Sequence, residues 1–478
     1  MVSNEKTFFS FLWVLLEKFG FSGLSFISTL LLARLLTPYE FGLIGTITIF
    51  ISLSNMVVES GFGAALVQKK NITNNDYSTI FVFNAIMSVF LYIILFISAP
   101  FIADYYNNDI FTSIIRVLGV ILIINAVTLT QKVHLIRELA FKQQAAINLA
   151  ALIISILCAL TLAYLGYGVW ALVAQLVLYS FFVSLFMWFK VRFIPSLIFN
   201  TQSFKELFSF GGRIILTSAL QTIYNDIFGL VITKKFSVSL TGLYTQANKL
   251  VSFPTSIFSS LYDSVAFPVL SKIDNPEEFK TMYSNINNGI FSLALPLLLI
   301  IPFQVENIIL TVLGTNWTEA APILKILSIS LLTSLISLSS FSVFKAKGLG
   351  ETMLRYGIIK IVIGLIILVI SIQISFEAII YGVVITNFIF SLLVFHKVSK
   401  ITLYKWKELF KDYFLLIFSF LVLNFLVKYL LNLFEIEGAL IQLISYLFLM
   451  LVMTIGYFAI FKRYVIRKVL LIIRQRSK

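Results

Sequence analysis

The sequence predicts an all-α polytopic membrane protein of about fourteen transmembrane helices, built as two parallel six-helix repeats, an N-lobe and a C-lobe, plus two extra C-terminal helices. Three observations predict it. The 478 residues are 59% apolar and 12% charged, whereas soluble domains run at about 45–50% apolar and about 25% charged, so a water-soluble chain of this length would have too little polar surface. Fourteen apolar runs each approach the roughly 20 residues that a membrane helix needs. A shift of 200 residues also brings part of the first half of the sequence onto the second.

The runs, read between Pro, Gly and charge punctuation, are 8–32, 40–66, 77–99, 111–130, 145–165, 168–189, 204–232, 240–268, 283–305, 320–344, 356–374, 377–396, 409–431 and 438–461. The first is too long for a signal-peptide core and lacks an A-x-A cleavage site, so it is expected to stay as a structural helix. Loop charge tests the order, because Lys and Arg collect on the cytoplasmic side. With the N-terminus inside, the cytoplasmic segments hold Lys6; Lys69 and Lys70; Lys132, Arg137 and Lys142; Lys190, Arg192, Lys205 and Arg213; Lys272 and Lys280; Lys345, Lys347, Arg355 and Lys360; Lys397, Lys400, Lys405, Lys407 and Lys411; and seven bases from Lys462 to Lys478. These are 28 of the 36 basic residues. The other eight are Arg34, Arg116, Lys234, Lys235, Lys325 and Lys428 at outer helix ends, with Lys18 and Lys249 inside spans. The net charge of +14 therefore reports orientation in a bilayer with both termini cytoplasmic, and no nucleic-acid partner is expected. The outer loops are short and lean acidic, with Glu40, Asp104, Asp109, Glu319, Glu377, Glu435 and Glu437.

One cysteine, Cys158, excludes a disulfide within the chain, and two distant histidines, His134 and His396, exclude a Cys/His metal cluster. No metal, cofactor or catalytic residue is expected. The sequence also has no G-x-x-x-x-G-K-[ST] phosphate loop.

The duplication aligns Ala33-Arg34-Leu35-Leu36-Thr37-Pro38-Tyr39-Glu40-Phe41-Gly42-Leu43 with Thr233-Lys234-Lys235-Phe236-Ser237-Val238-Ser239-Leu240-Thr241-Gly242-Leu243, so that a base, a hydroxyl and the Gly-Leu pair coincide. Ile115-Arg116-Val117-Leu118 recurs as Leu324-Lys325-Ile326-Leu327. The expected organisation is 1–200 as the N-lobe with spans 1–6, 201–400 as the C-lobe with spans 7–12, and 401–478 as spans 13–14 with a basic tail on the anionic inner leaflet. Six is even, so the repeats enter the membrane the same way round. In transporters built so, the substrate site lies at the repeat interface and access alternates.

The stretch Leu32-Ala33-Arg34-Leu35-Leu36-Thr37-Pro38-Tyr39-Glu40-Phe41-Gly42 resembles a signature of the Wzx-like oligosaccharide flippases, the polysaccharide transporter family of the multidrug/oligosaccharidyl-lipid/polysaccharide (MOP) exporter superfamily. Gly61 to Lys69 (GFGAALVQK), Leu135 to Lys142 (LIRELAFK), Gly166 to Val173 (GYGVWALV), Gly242-Leu243-Tyr244, Phe267 to Ser271 (FPVLS) and Leu313 to Trp317 (LGTNW) are similar to further stretches of that family in order and spacing. The resemblance covers residues 8 to 345; the last third resembles the family in hydropathy alone. Relatives often carry Ile-Gly-Lys/Arg where this chain has Ile232-Thr233-Lys234. The resemblance implies a MATE-like fold and a substrate that is an oligosaccharide repeat unit on polyprenyl pyrophosphate. It implies transfer from the cytoplasmic to the periplasmic leaflet of a bacterial inner membrane for lipopolysaccharide O-antigen, capsule or exopolysaccharide assembly. Membrane lipids and other polysaccharide-assembly proteins would be its partners.

A charge at the bilayer centre costs about 2.5–3.5 kcal/mol even on lenient scales, so deep charges face protein or a wet cavity. They gather on the first two spans of each repeat: Glu17, Lys18 and Glu59, then Arg213, Asp226, Lys249 and Asp263. A pyrophosphate crossing a low-dielectric region needs cations in place of its hydration. Lys18, Arg213 and Lys249, with Arg34 at the outer end of span 1, are the expected phosphate contacts, against snorkelling as the plain alternative. Glu17, Glu59, Asp226 and Asp263 are candidates for coupling to protons or sodium, against structural pairing. Asn55, Gln221, Tyr224, Asn225, Gln246, Asn248 and Tyr262 could meet sugar hydroxyls and rings, although most such residues make interhelical contacts. Two other functions compete: a cation-coupled small-molecule exporter of the multidrug type, and a membrane polysaccharide polymerase, for which the short outer loops leave little room.

Overall fold

The computed structural model describes residues 4–59, 61–434 and 438–461, with side chains described throughout these except at 4–19, 209–221, 412 and 458–461. Among the described residues the regular structure is helical. The long helices among the described residues are α1 (Asn4–Leu35), α2 (Pro38–Glu59), α4 (Asn74–Tyr106), α5 (Ile110–Arg137), α6 (Phe141–Tyr164), α7 (Val169–Val191), α8 (Thr201–Lys235), α9 (Val238–Leu261), α11 (Pro276–Phe303), α13 (Ala320–Ala346), α14 (Gly350–Ser371), α15 (Phe376–Ile401), α17 (Leu415–Leu433) and α18 (Ala439–Phe461), and the apolar runs 40–66, 240–268 and 409–431 extend beyond a single one of them. Short helices α3 (Phe62–Gln68), α10 (Phe267–Leu270), α12 (Val305–Ile308) and α16 (Trp406–Leu409) sit at their joints. Eleven of the long helices are apolar and long enough to cross a membrane on their described residues, while α1 enters that test only as Gly20–Leu35. α8 and α9 are not among the eleven, and α9 is rich in Ser, Thr, Asn and Gln.

Local chemistry sets the joints. Pro38 opens α2, where its missing N–H costs nothing, and Glu40 accepts from both the Thr37 N–H (2.6 Å) and hydroxyl (2.9 Å). Thr73 and Asp76 form a reciprocal cap on α4. Asn200 caps α8, Asn275 with Pro276 opens α11, and Ser375 caps α15. Five-residue π-helical turns occupy Tyr262–Ala266, Ile309–Leu313 and Phe410–Phe414.

By packing, the chain divides into two compact units, Met1–Thr245 and Gln246–Lys478. The boundary expected at 200/201 rests on the sequence alignment alone. The packing boundary falls later because α8 packs on α2, α3 and α4. In the first unit, α4 pairs with α5, α6 with α7, and α1 with α6. Its core is a ladder of Leu43, Ile47 and Ile51 from α2 against Ala99 and Ala103 of α4, Ile114 and Leu118 of α5, and Val169 and Val173 of α7. In the second unit α13 packs on α15, α14 on α15, and α11 on α13 and α17, with α18 against α17.

Outward faces stay apolar, as with Ile97 and Phe101 on α4, Ile366 and Val369 on α14, and Phe418 and Phe425 on α17. Apolar exposure on that scale suits lipid and not water. One basic residue moves relative to expectation. Lys360, counted with the cytoplasmic bases, lies ten residues into α14, about 15 Å along the axis at 1.5 Å per residue. Its ammonium sits 5.1 Å from the Phe390 ring centre, a cation–π contact that eases its depth.

Candidate functional site

The family-like stretches meet one another in the first unit, and they meet as structural joints. Arg137, in the LIRELAFK stretch, donates from Nη1 to the carbonyls of Leu66 (2.7 Å), Val67 (3.1 Å) and Lys69 (2.7 Å), the C-terminal carbonyls that α3 cannot satisfy itself. Lys69 in turn bridges Asp76 (2.9 Å) and Glu206 (3.0 Å). These two carboxylates hold its ammonium pKa above the ordinary value against the opposing effect of burial. Gly168, at φ 56°, leaves room for Glu40: a Cβ there would lie 2.6 Å from Oε1.

The N-terminal ends of α2 and α9, equivalent under the 200-residue shift, cross at two glycines. A Cβ on Gly42 would lie 1.8 Å from the Val238 carbonyl oxygen, and one on Gly242 would lie 1.8 Å from that of Pro38. Residue 42 thus touches 238 as 242 touches 38, the reciprocity that a two-fold relation between repeats produces. Beside this crossing, Thr46 and Thr233 hydroxyls lie 2.5 Å apart and those of Thr233 and Thr241 lie 2.7 Å apart. Thr233 therefore stitches α8 to α2 and α9.

α2 and α9 also carry matching polar faces. On α2, Thr48, Ser52, Asn55 and Glu59 recur at helical spacing, with Thr48 and Glu59 exposed and Ser52 and Asn55 partly so. On α9, Asn248, Lys249, Ser252 and Ser256 are exposed, while Ala247, Leu250, Val251 and Phe258 are buried. Thr48 and Asn248, and Ser52 and Ser252, correspond under the repeat shift. An accessible polar face on a helix inside an apolar bundle belongs against water, since lipid offers hydroxyls and amides no partners. Each face, taken within its own unit, is a candidate site.

The sequence-derived candidates distribute as follows. Lys249 and Asn248 lie on the exposed face of α9. Asn55 accepts from Asn125 Nδ2 at 3.2 Å, and Glu59 is exposed at the end of α2. Arg34 is exposed in the last turn of α1. On α8, Asn225 is exposed, Asp226 is half-buried, and Tyr224 is buried with its ring edge-on to Phe228. Gln246 is buried, and its Nε2 has no hydrogen-bond partner among the described residues. Tyr262, fully buried, donates to Asn287 Oδ1 at 3.1 Å, and Asp263 forms an ion pair with Lys345; both contacts are structural. The side chains of Glu17, Lys18, Arg213 and Gln221 lie outside the described residues. Among the described residues no three His, Cys, Asp or Glu side chains converge as metal ligands do.

Sequence reasoning did not single out Ser252, Ser256 or Lys360. The serines are too common in membrane helices to stand out, and Lys360 sits where hydropathy alone places a helix end.

A family profile described as polysaccharide biosynthesis protein matches residues 31–322. Among curated proteins, the chain is 25% identical over 300 residues to the teichuronic acid biosynthesis protein TuaB of Bacillus subtilis, covering 62% of each. It is 24% identical over 321 residues to the succinoglycan biosynthesis transport protein ExoT of Rhizobium meliloti, covering 66% of this chain and 65% of that one. The chain thus spans just under two thirds of the length of these two relatives. It is 21% identical over 363 residues to the lipopolysaccharide biosynthesis protein WzxC of Escherichia coli, covering 75% and 74%. Among solved structures, the lipid II flippase MurJ in an inward closed conformation superposes with a TM-score of 0.75 at 14% identity, over 94% of this chain and 99% of that one. A MATE-family multidrug transporter in an inward-facing conformation gives 0.56 at 15% identity, over 81% and 96%. At these identities the two structures speak for the fold. The profile covers more than half of the chain, and the chain belongs to the polysaccharide biosynthesis protein family.

Proposed function

We propose that the protein is a flippase that moves polyprenyl-pyrophosphate-linked oligosaccharide repeat units from the cytoplasmic to the periplasmic leaflet of the inner membrane by alternating access, for O-antigen, capsule or exopolysaccharide biosynthesis. It acts as a transporter and not as an enzyme. The observation that carries this reading is the pair of accessible polar faces on the repeat-equivalent helices α2 and α9, with Lys249 on one of them. The names of the relatives point the same way. Lys249 is the cation that replaces phosphate hydration during passage, with Lys18 and Arg213 as its partners in that task and Arg34 at the outer end. Amide and hydroxyl groups on the same faces suit sugar hydroxyls.

The repeats run 1–200 and 201–400, with 401–478 outside them, and both termini face the cytoplasm, a reading supported by the 28 of 36 bases that fall in segments on that side. Of the four coupling candidates, Asp263 is neutralised by Lys345 and Glu59 is exposed. Asp226, half-buried and without an ion pair among the described residues, is the preferred coupling carboxylate beside Glu17.

Deleting the gene tests the reading. Lipid-linked single repeat units should accumulate facing the cytoplasm. Units accumulating already in the periplasm would indicate a polymerase instead, and unchanged polysaccharide with lost tolerance to cationic compounds would indicate a small-molecule exporter.

A further inference from the structure

The transport reading leaves a polar cavity in the second unit unused. It measures about 400 Å³ and is lined by Lys325 of α13, Lys428 of α17, Glu306 and Asn307 of α12, Gln304 at the α11–α12 joint, and Gln442 of α18. Lys325 and Lys428 are two of the eight bases that fall outside the cytoplasmic segments. Both are exposed, and among the described residues neither ammonium forms an ion pair. The amides are ordered: Asn307 Nδ2 donates to Gln304 Oε1 at 2.7 Å and to Gln442 Oε1 at 2.9 Å. The carbonyl of buried Gln304 is therefore engaged, and its NH₂ donates to no described residue. Two ammonium groups against the single carboxylate of Glu306 leave this lining with a formal charge of +1.

The cavity is amphiphilic. Phe303 and Leu431 line it as well, and they belong to the apolar cluster of Ile300, Val427, Tyr446 and Met450. Next to it, α17 and α18 turn Tyr429, Leu433, Ile441 and Ile444 outward. By the alternation of spans, this end of the unit faces the leaflet opposite the cytoplasmic one.

We propose that this cavity holds the phosphate-ester head group of a lipid in the outer leaflet. Lysine pairs and amide donors match the oxygens of a phosphate, and a ligand with an anionic head and an apolar tail fits a positive polar pocket floored and flanked by apolar side chains. Two lipids carry that chemistry: a resident anionic phospholipid, and the polyprenyl pyrophosphate carrier after delivery. The site rests on the proposed orientation of the chain, and the second source rests on the flippase reading.

The full-length protein in detergent, doped separately with phosphatidylglycerol, polyprenyl pyrophosphate or phosphatidylcholine, tests this by native mass spectrometry of retained lipid. At least one anionic lipid should be retained over phosphatidylcholine, and K325Q/K428Q should weaken that retention about tenfold or more. K325R/K428R should restore it, and K234Q/K235Q, at outer bases elsewhere, should leave it unchanged. Preference for phosphatidylglycerol identifies a resident lipid, and preference for the pyrophosphate identifies the delivered carrier. Equal retention by the wild type and K325Q/K428Q, or equal retention of phosphatidylcholine, overturns the site. Translocation in vesicles is read separately: a chain that retains anionic lipid through the two lysines but moves none refutes the flippase reading and leaves the site standing.

Discussion

Gly42 and Gly242 show what single residues do here. Each lies where the partner helix's backbone would occupy the space of a Cβ, at 1.8 Å in both cases. Gly42→Ala and Gly242→Ala should each cost about 1–3 kcal/mol or more through overpacking, seen as a lower melting temperature. The double variant should cost less than the sum, because both substitutions push apart the same helix crossing. Glu408 gives a pH-dependent counterpart. Burial opposes its ionisation, but Lys280 at 3.2 Å and the Glu408 and Lys405 backbone N–H groups hold its pKa below the ordinary value. A depressed carboxylate stabilises the fold above its unfolded pKa of about 4.3 and loses that contribution as pH falls through the folded value. Glu408→Gln should therefore lower the melting temperature at neutral pH and flatten its decline on acidification. An acid slope equal to the wild type's would mean that the pair contributes nothing. The residues that made the sequence recognisable serve such joints: Arg137 and Glu40 cap backbone ends, Gly42 admits a backbone and Gly168 admits the Glu40 side chain. They were legible as a pattern, but which of them touch depends on helix crossings that a linear pattern does not contain.

At the scale of elements, α9 is the helix that sets the chain's chemistry apart. Its apolar side packs through Val251 and Phe258, and its other side is an accessible row of Asn248, Lys249, Ser252 and Ser256. With Cys158 replaced by Ser, single cysteines at 248, 252 and 256 should react with a membrane-impermeant maleimide, and cysteines at 247, 251 and 258 should not. Uniform labelling, or none, would mean that the row faces no water. The charges on this helix could be read from the sequence because an ion in an apolar run is conspicuous. The serines could not, and neither could the π-helical turn at Tyr262–Ala266 that contains Asp263, the ion-pair partner of Lys345. Hydropathy found eleven of the long helices because each is long and apolar on its described residues. It placed Lys360 poorly because α14 starts at Gly350, before its apolar run begins.

For the whole molecule, the positions aligned by a shift of 200 include the two glycines at which α2 and α9 cross. The Gly-Leu coincidence at 42–43 and 242–243 made that alignment legible. It could not show that packing divides the chain at 245/246, because that depends on α8 settling against α2, α3 and α4. The central claim is that cations within the spans carry an anionic lipid head across the membrane. It is tested most directly by the translocation of a labelled polyprenyl-pyrophosphate oligosaccharide by purified protein in vesicles. The account predicts that K18A/K249A inserts normally but translocates about tenfold more slowly or worse, a loss of about 1.4 kcal/mol or more; translocation by that variant at the wild-type rate would contradict it.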